Sequence, residues 1–144
     1  MKKVIVLLTV IWFSGCALTS ATRPEKQFQE AAVSTKEKRY KEAAACYSKI
    51  VAEFPDSELA ADSLFELALV KAHYDNPQRD YAQAARMFAE FIKRYPDNRR
   101  AEEARTWISV LRTVQELKKQ NEHLNESIEE LKQLDIRHEE KRKK

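Results

Sequence analysis

Two stretches of the chain repeat one pattern of apolar and polar positions: YKEAAACYSKIVAEFPDS from Tyr40 and YAQAARMFAEFIKRYPDN from Tyr81. Tyr40, Ala43, Ala44, Tyr47, Ile50, Val51 and Phe54 fall opposite Tyr81, Ala84, Ala85, Phe88, Phe91, Ile92 and Tyr95. Spacings of three and four gather these side chains on one face of a helix, so each stretch is expected to be an amphipathic helix. Pro55 and Pro96 close the two stretches, because proline lacks the N–H that continuation needs and its ring clashes with the preceding turn. Asp56-Ser57 and Asp97-Asn98 follow them and can cap the next helix through side-chain oxygens. The small alanines admit a close neighbour, and the aromatic ring one turn later fills the groove beside it. Stacked helical hairpins are therefore predicted, each burying its apolar face against the next.

After Pro96 the rhythm changes. No proline or glycine interrupts the chain from Asp97 to its end, so one long helix is expected. Val110, Val114, Leu117, Asn121, Leu124, Ile128 and Leu131 recur at alternating intervals of four and three. This is a heptad pattern with Val114, Asn121 and Ile128 at the a positions and Leu117, Leu124 and Leu131 at d. β-Branched residues at a with leucine at d favour a parallel two-stranded coil, and one buried Asn at a sets the register while weakening the seam. The flanking residues Lys118, Gln120, Asn125, Ser127 and Lys132 carry little charge with which to select a partner. A homodimer, a partner's helix and a solvated single helix all fit this pattern. The seam stops at Asp135, where an a residue belongs, yet Leu134 and Ile136 stay apolar. They are candidates for contact with a partner, set against a plain basic helix end that favours the helix dipole.

The opening MKKVIVLLTVIWFSGC has Lys2 and Lys3 before ten residues, Val4 to Phe13, that are apolar or nearly so. A positive start, a short apolar run and small residues after it make a secretory signal. A spanning helix needs about 20 apolar residues, so this run should not serve as a permanent anchor. Ser14-Gly15-Cys16 resembles the bacterial lipobox, with Phe13 where that pattern prefers leucine. The resemblance implies that Cys16 becomes the first mature residue and carries a covalent lipid. Ala17 in the next position implies sorting to the outer membrane, so the rest of the chain works in the periplasm.

The formal charge is +3, from 26 basic and 23 acidic residues. Removing residues 1–15 takes away Lys2 and Lys3 and no acid, leaving 24 against 23. Evenly mixed charge argues against nucleic acid, which calls for a clustered basic face. The mature chain would contain no glycine, because Gly15 is the only one. Phosphate loops, dinucleotide fingerprints and nucleophile elbows need positions where a Cβ would clash, so none is expected. His73, His123 and His138 lie far apart, and no H-E-x-x-H or C-x-x-C occurs. No metal, no catalytic residues and no cofactor other than the lipid on Cys16 are expected. Cys46 would be the one remaining cysteine in an oxidising compartment, without an intramolecular partner, and fits a small buried apolar residue or, alternatively, an intermolecular disulfide.

Tyr40, Ala43, Tyr47 and Pro55, and again Tyr81, Ala84, Phe88 and Pro96, resemble the tetratricopeptide (TPR) signature in the form found in periplasmic lipoproteins of the BamD and CpoB types. The resemblance covers residues 24–112. It departs from the pattern in its offset of 41, against roughly 34 for the family, and the surplus is assigned to the linker YDNPQRD. The first helices match less closely, with Phe28, Ala31 and Ala32 in one unit and Leu64, Leu67 and Ala68 in the other. An all-α fold is implied: a short array of two TPR-like hairpins continued by a long C-terminal coiled-coil helix. The domains would be a signal peptide over 1–15, the lipidated cysteine and linker over 16–23, the repeats over 24–112 and the coiled-coil helix with its charged end over 113–144. The stripe of Tyr40, Tyr47, Phe54, Tyr81, Phe88 and Tyr95 is expected to build the core. Binding would fall in the concave groove lined by the first helices, with Glu66, Lys71 and His73 exposed there.

The terminal ELKQLDIRHEEKRKK resembles, over some 15 residues, the end of QseG-like lipoproteins that accompany a two-component sensor kinase. Taken together, the resemblances imply a non-enzymatic, lipid-anchored outer-membrane adaptor facing the periplasm. It would bind envelope proteins through its TPR surface and C-terminal helix. One version engages the periplasmic part of a sensor kinase; the other is an outer-membrane assembly or envelope-biogenesis scaffold of the BamD or CpoB kind.

Overall fold

The computed structural model describes residues 23–143; Cys16 and the segment before it lie outside them. The described chain forms five helices and no strand: α1 Pro24–Lys36, α2 Tyr40–Glu53, α3 Glu58–Ala72, α4 Tyr81–Arg94 and α5 Ala101–Arg142. Each helix packs chiefly on its neighbours in sequence, as in a solenoid. The pairs α1/α2 and α3/α4 are the two hairpins, and α5 closes the array against α4.

The turns show why the helices stop where they do. Beyond α1, Lys38 adopts φ 60°, a left-handed geometry that costs a residue with a Cβ about 1–2 kcal/mol. In return Lys38 N–H bonds Thr35 O at 3.1 Å and Arg39 N–H bonds Ser34 O at 2.8 Å, which satisfies carbonyls at the end of the helix. Ser57 caps α3 by accepting from Leu59 N–H at 3.2 Å. Asp80 caps α4 by accepting from Gln83 N–H at 2.8 Å, a cap the proline pattern did not indicate. Asn98 does not cap α5 as expected. Its Oδ1 accepts from Arg100 N–H at 2.9 Å, ahead of the helix, and the Arg100 cap makes no side-chain bond. The connection 73–80 is eight residues against three for 37–39, so most of the surplus repeat length sits there. Buried Asn76 holds it, donating to Val70 O at 2.8 Å and accepting from Gln78 N–H at 2.9 Å.

The central helix α3 is buried on two sides. Leu67 and Val70 join Ala31, Tyr40, Ala43 and Tyr47 in one cluster. Leu64, Phe65 and Ala68 join Ala84, Phe88, Phe91, Ala104 and Leu111 in the other. The Phe65 ring meets Phe88 and Phe91 edge-on at 5.0 and 5.2 Å.

Five residues of the repeat pattern, three from the aromatic stripe and the two prolines, are less buried than the pattern implied. Pro55 and Pro96 are exposed: they act on the backbone as stops and contribute little packing. Phe54 and Tyr95, at the helix ends, are half-buried. Tyr81 is also half-buried, unlike its counterpart Tyr40. Tyr40 is covered by His73, at the end of the following first helix. At the repeat offset of 41 the counterpart of His73 is Val114 of α5, where no ring stands to stack on Tyr81.

Helix α5 buries Ala101, Ala104 and Leu111, with Trp107 and Ile108 packed against the same cluster. From Glu116 onward every described side chain is exposed except half-buried Ser127. The part of α5 beyond Leu111 is about 46 Å long at 1.5 Å per residue.

Candidate partner-binding surfaces

The three first helices of the array, α1, α3 and α5, face a common groove. Thr35, Glu66, Leu69, Val70, Ala72, His73, Tyr74 and Trp107 line about 470 Å³ of it. Glu66, Leu69, Val70 and His73 are spaced by three, one and three residues, so one face of α3 forms the floor. Trp107 forms the wall, its ring stacked parallel to Phe88 at 6.1 Å. Sequence reasoning placed Glu66, Lys71 and His73 in this groove; Glu66 and His73 line it and Lys71 does not.

The polar groups of the groove are already engaged. Glu66 accepts from Arg100 Nη1 at 2.8 Å, and the Arg100 guanidinium lies 3.5 Å over the Phe65 ring. Burial works against the Arg100 charge, but its bonds to Glu66 and Glu103 outweigh this and hold its pKa above the ordinary value. His73 Nδ1 accepts from Asp75 N–H at 3.2 Å and lies 3.0 Å from Tyr40 OH. A backbone N–H can only donate, so Nδ1 is the acceptor and the neutral ring carries its proton on Nε2. The same ring lies against Tyr40 and Tyr74, each with centroids 4.9 Å away. Lys38 pairs with Asp75 at 2.6 Å, and this bond holds the Asp75 carboxyl below the usual carboxylate range. Burial pushes the Tyr47 phenol up to about 12, so it stays neutral. What the groove offers a ligand is therefore an apolar floor with aromatic edges.

The second surface is α5 itself. Val110, Leu117, Leu124, Ile128 and Leu131 are 45–61% exposed. Val114 is half-buried near the body, and Asn121 is exposed. Trp107, Val110, Val114 and Leu117 follow one another at three, four and three residues, so the groove wall runs directly into the heptad stripe. Nothing in the heptad pattern alone marked Trp107 as its first member. Leu134 and Ile136, the expected contact pair, are 43% and 51% exposed. Two residues apart on a helix, they point to nearly opposite sides and do not form one patch; Leu134 continues from Leu131, and Ile136 stands apart. Cys46 is a half-buried free thiol, packed beside the α1–α3 cluster.

Among the described residues no group of three or more His, Cys, Asp or Glu could hold a metal ion, and no helix is long and apolar enough to cross a membrane. A search of curated proteins finds no match to the chain. The family described as YfiO, outer membrane lipoprotein, matches residues 20–138, taking in α1 to α4 and most of α5. With its two helical hairpins, its repeat-spanning groove and a match over most of its length, the chain belongs to the YfiO family of outer membrane lipoproteins.

Proposed function

We propose that this protein is a non-enzymatic adaptor that holds envelope proteins at the outer membrane, tethered by a lipid on Cys16 after removal of residues 1–15. The observation that carries this reading is the groove. Its floor is apolar, its charged groups are paired with one another, and its rim presents Tyr74 at 73% exposure. Such a surface suits an apolar or aromatic side chain from a bound polypeptide. Family membership favours the envelope-assembly version over a sensor-kinase accessory, which rests on the terminal 15 residues alone.

A photoreactive phenylalanine in place of Tyr74 is expected to yield adducts with envelope proteins. The same group at Ala89, exposed on the outer helix α4, should yield none. Trp107→Ala should lower the Tyr74 adducts several-fold by removing the groove wall. Equal yields from positions 74 and 89 would sink the reading.

The kinase-accessory version is motivated by exposed Leu134 and Ile136. Deleting residues 132–144 should leave the melting of the repeat body unchanged, since residues 132–143 are exposed and none belongs to either core cluster. If the version holds, recovery of a sensor kinase with the protein falls sharply on deletion. Parallel loss of stability and partner would assign the segment a structural role.

A further inference from the structure

We infer that the apolar stripe of α5 is covered by a second copy of this chain, the two helices running parallel and in register. The stripe from Val110 to Leu131 covers three heptads, about 32 Å of helix, and all its members but half-buried Val114 are left exposed by their own chain. The body takes a different face of the same helix, through Ala101, Ala104, Ile108 and Leu111. Pairing therefore needs no rearrangement of the fold, and the helix is ordered beforehand, which lowers the cost of association.

Three observations select the occupant. The first is Asn121. In a parallel, in-register pair the two Asn121 side chains meet at one level and can bond to each other. Asn121 Oδ1 accepts from Asn125 Nδ2 of its own chain at 3.0 Å and keeps a second lone pair, so one Asn121 can donate an amide hydrogen to the Oδ1 of the other. An antiparallel arrangement with a positions facing d positions, overlapped over Val114 to Leu131, sets Asn121 against Leu124 instead and buries its amide hydrogens opposite hydrocarbon at a cost. The second is charge. Parallel pairing brings Thr113 beside Lys118, Gln120 beside Asn125 and Ser127 beside Lys132 of the other copy, and none of these contacts opposes like charges. The third is attachment. A parallel pair keeps both repeat bodies at one end, where each Cys16 lies within eight residues of its own α1, a reach of about 28 Å, so both can sit on one membrane. A three-heptad seam interrupted by asparagine is weak alone. Confinement to one surface raises the effective concentration and so favours the pair.

The parallel sense draws on the membrane attachment in the preceding section, but the pairing is tested separately from the groove. The full-length protein is expressed in its own envelope with Cys46→Ser, to remove the half-buried thiol. Onto this background Leu124→Cys, at d, or Lys119→Cys, on the outer face, is added. Mild oxidation is expected to convert Leu124→Cys into a disulfide-linked dimer at least ten times more than Lys119→Cys or the Cys46→Ser parent. Equal yields overturn the proposal. A dimer formed only when Leu124→Cys and Asn121→Cys chains are mixed also overturns it, because that is the antiparallel signature. Either failure leaves the Tyr74 adducts untouched, so the two readings are decided independently.

Discussion

Replacing Cys16 with serine is expected to abolish incorporation of a fatty-acid analogue and to move the protein out of the lipid-modified membrane pool. A hydroxyl cannot stand in for the thiol in thioether attachment, and the described helices contain no span to replace the anchor. Burying acyl chain contributes about 0.8 kcal/mol per CH₂, and one chain gives only marginal, reversible binding. Stable residence therefore depends on the full modification. The product should be either a precursor that retains residues 1–15 or a soluble periplasmic form, and mass analysis of the N-terminus separates the two. Labelling of the serine variant as strong as that of the parent would remove Cys16 from its proposed role. Cys46→Ser is the control: the residue packs beside the α1–α3 cluster, and labelling should be unchanged.

The second large effect is expected at Phe65. Its side chain is fully buried, meets Phe88 and Phe91 edge-on and lies under the Arg100 guanidinium. Phe65→Ala removes those contacts at once and leaves a cavity between α3, α4 and α5. The cost should be about 3–5 kcal/mol, a large share of the roughly 5–15 kcal/mol that holds a domain folded. At about 4–8 °C per kcal/mol for a body of this size, the melting point should fall by at least about 12 °C. Trp107 is the only tryptophan outside residues 1–15 and stacks on Phe88, so its fluorescence reports this cluster directly. A loss below about 1 kcal/mol would mean that Phe65 does not organise the junction of the three helices. Tyr74→Ala, at an exposed ring on the groove rim, should change the melt little and so separates packing from binding.

The helices were legible because the signals that make them are local. Apolar spacings of three and four, the stops at Pro55 and Pro96 and the cap at Ser57 each act within a turn or two of the backbone. They predicted the apolar faces of α2 and α4 without knowledge of what those faces touch. The unbroken run after Pro96 likewise predicted one long helix, found as α5. Asp80 and Asn98 show the limit of this logic. Both are capping residues before a helix, and only the path of the following backbone decides which one caps.

The groove was less legible. Glu66 and His73 were anticipated in it, but Thr35, Leu69, Tyr74 and Trp107 come from three helices and a loop, and no spacing rule links them. Arg100 reaches Glu66 across 34 positions and Lys38 reaches Asp75 across 37. Pairs at that separation are set by how hairpins stack, because charge alone offers many equivalent partners along a chain so rich in both signs.

By itself, then, the sequence determined the helix spans, the repeat and an apolar heptad along α5, since periodicity is a property of neighbours on one helix. Only the tertiary structure decided which apolar face of α5 the body would use. Ala101, Ala104 and Leu111 present small or compact side chains that let α5 lie close against Phe88 and Phe91, so that face is taken. Trp107 is left at the boundary, and the stripe beyond half-buried Val114 stays open because α4 ends at Arg94 and none of the described helices returns to cover it.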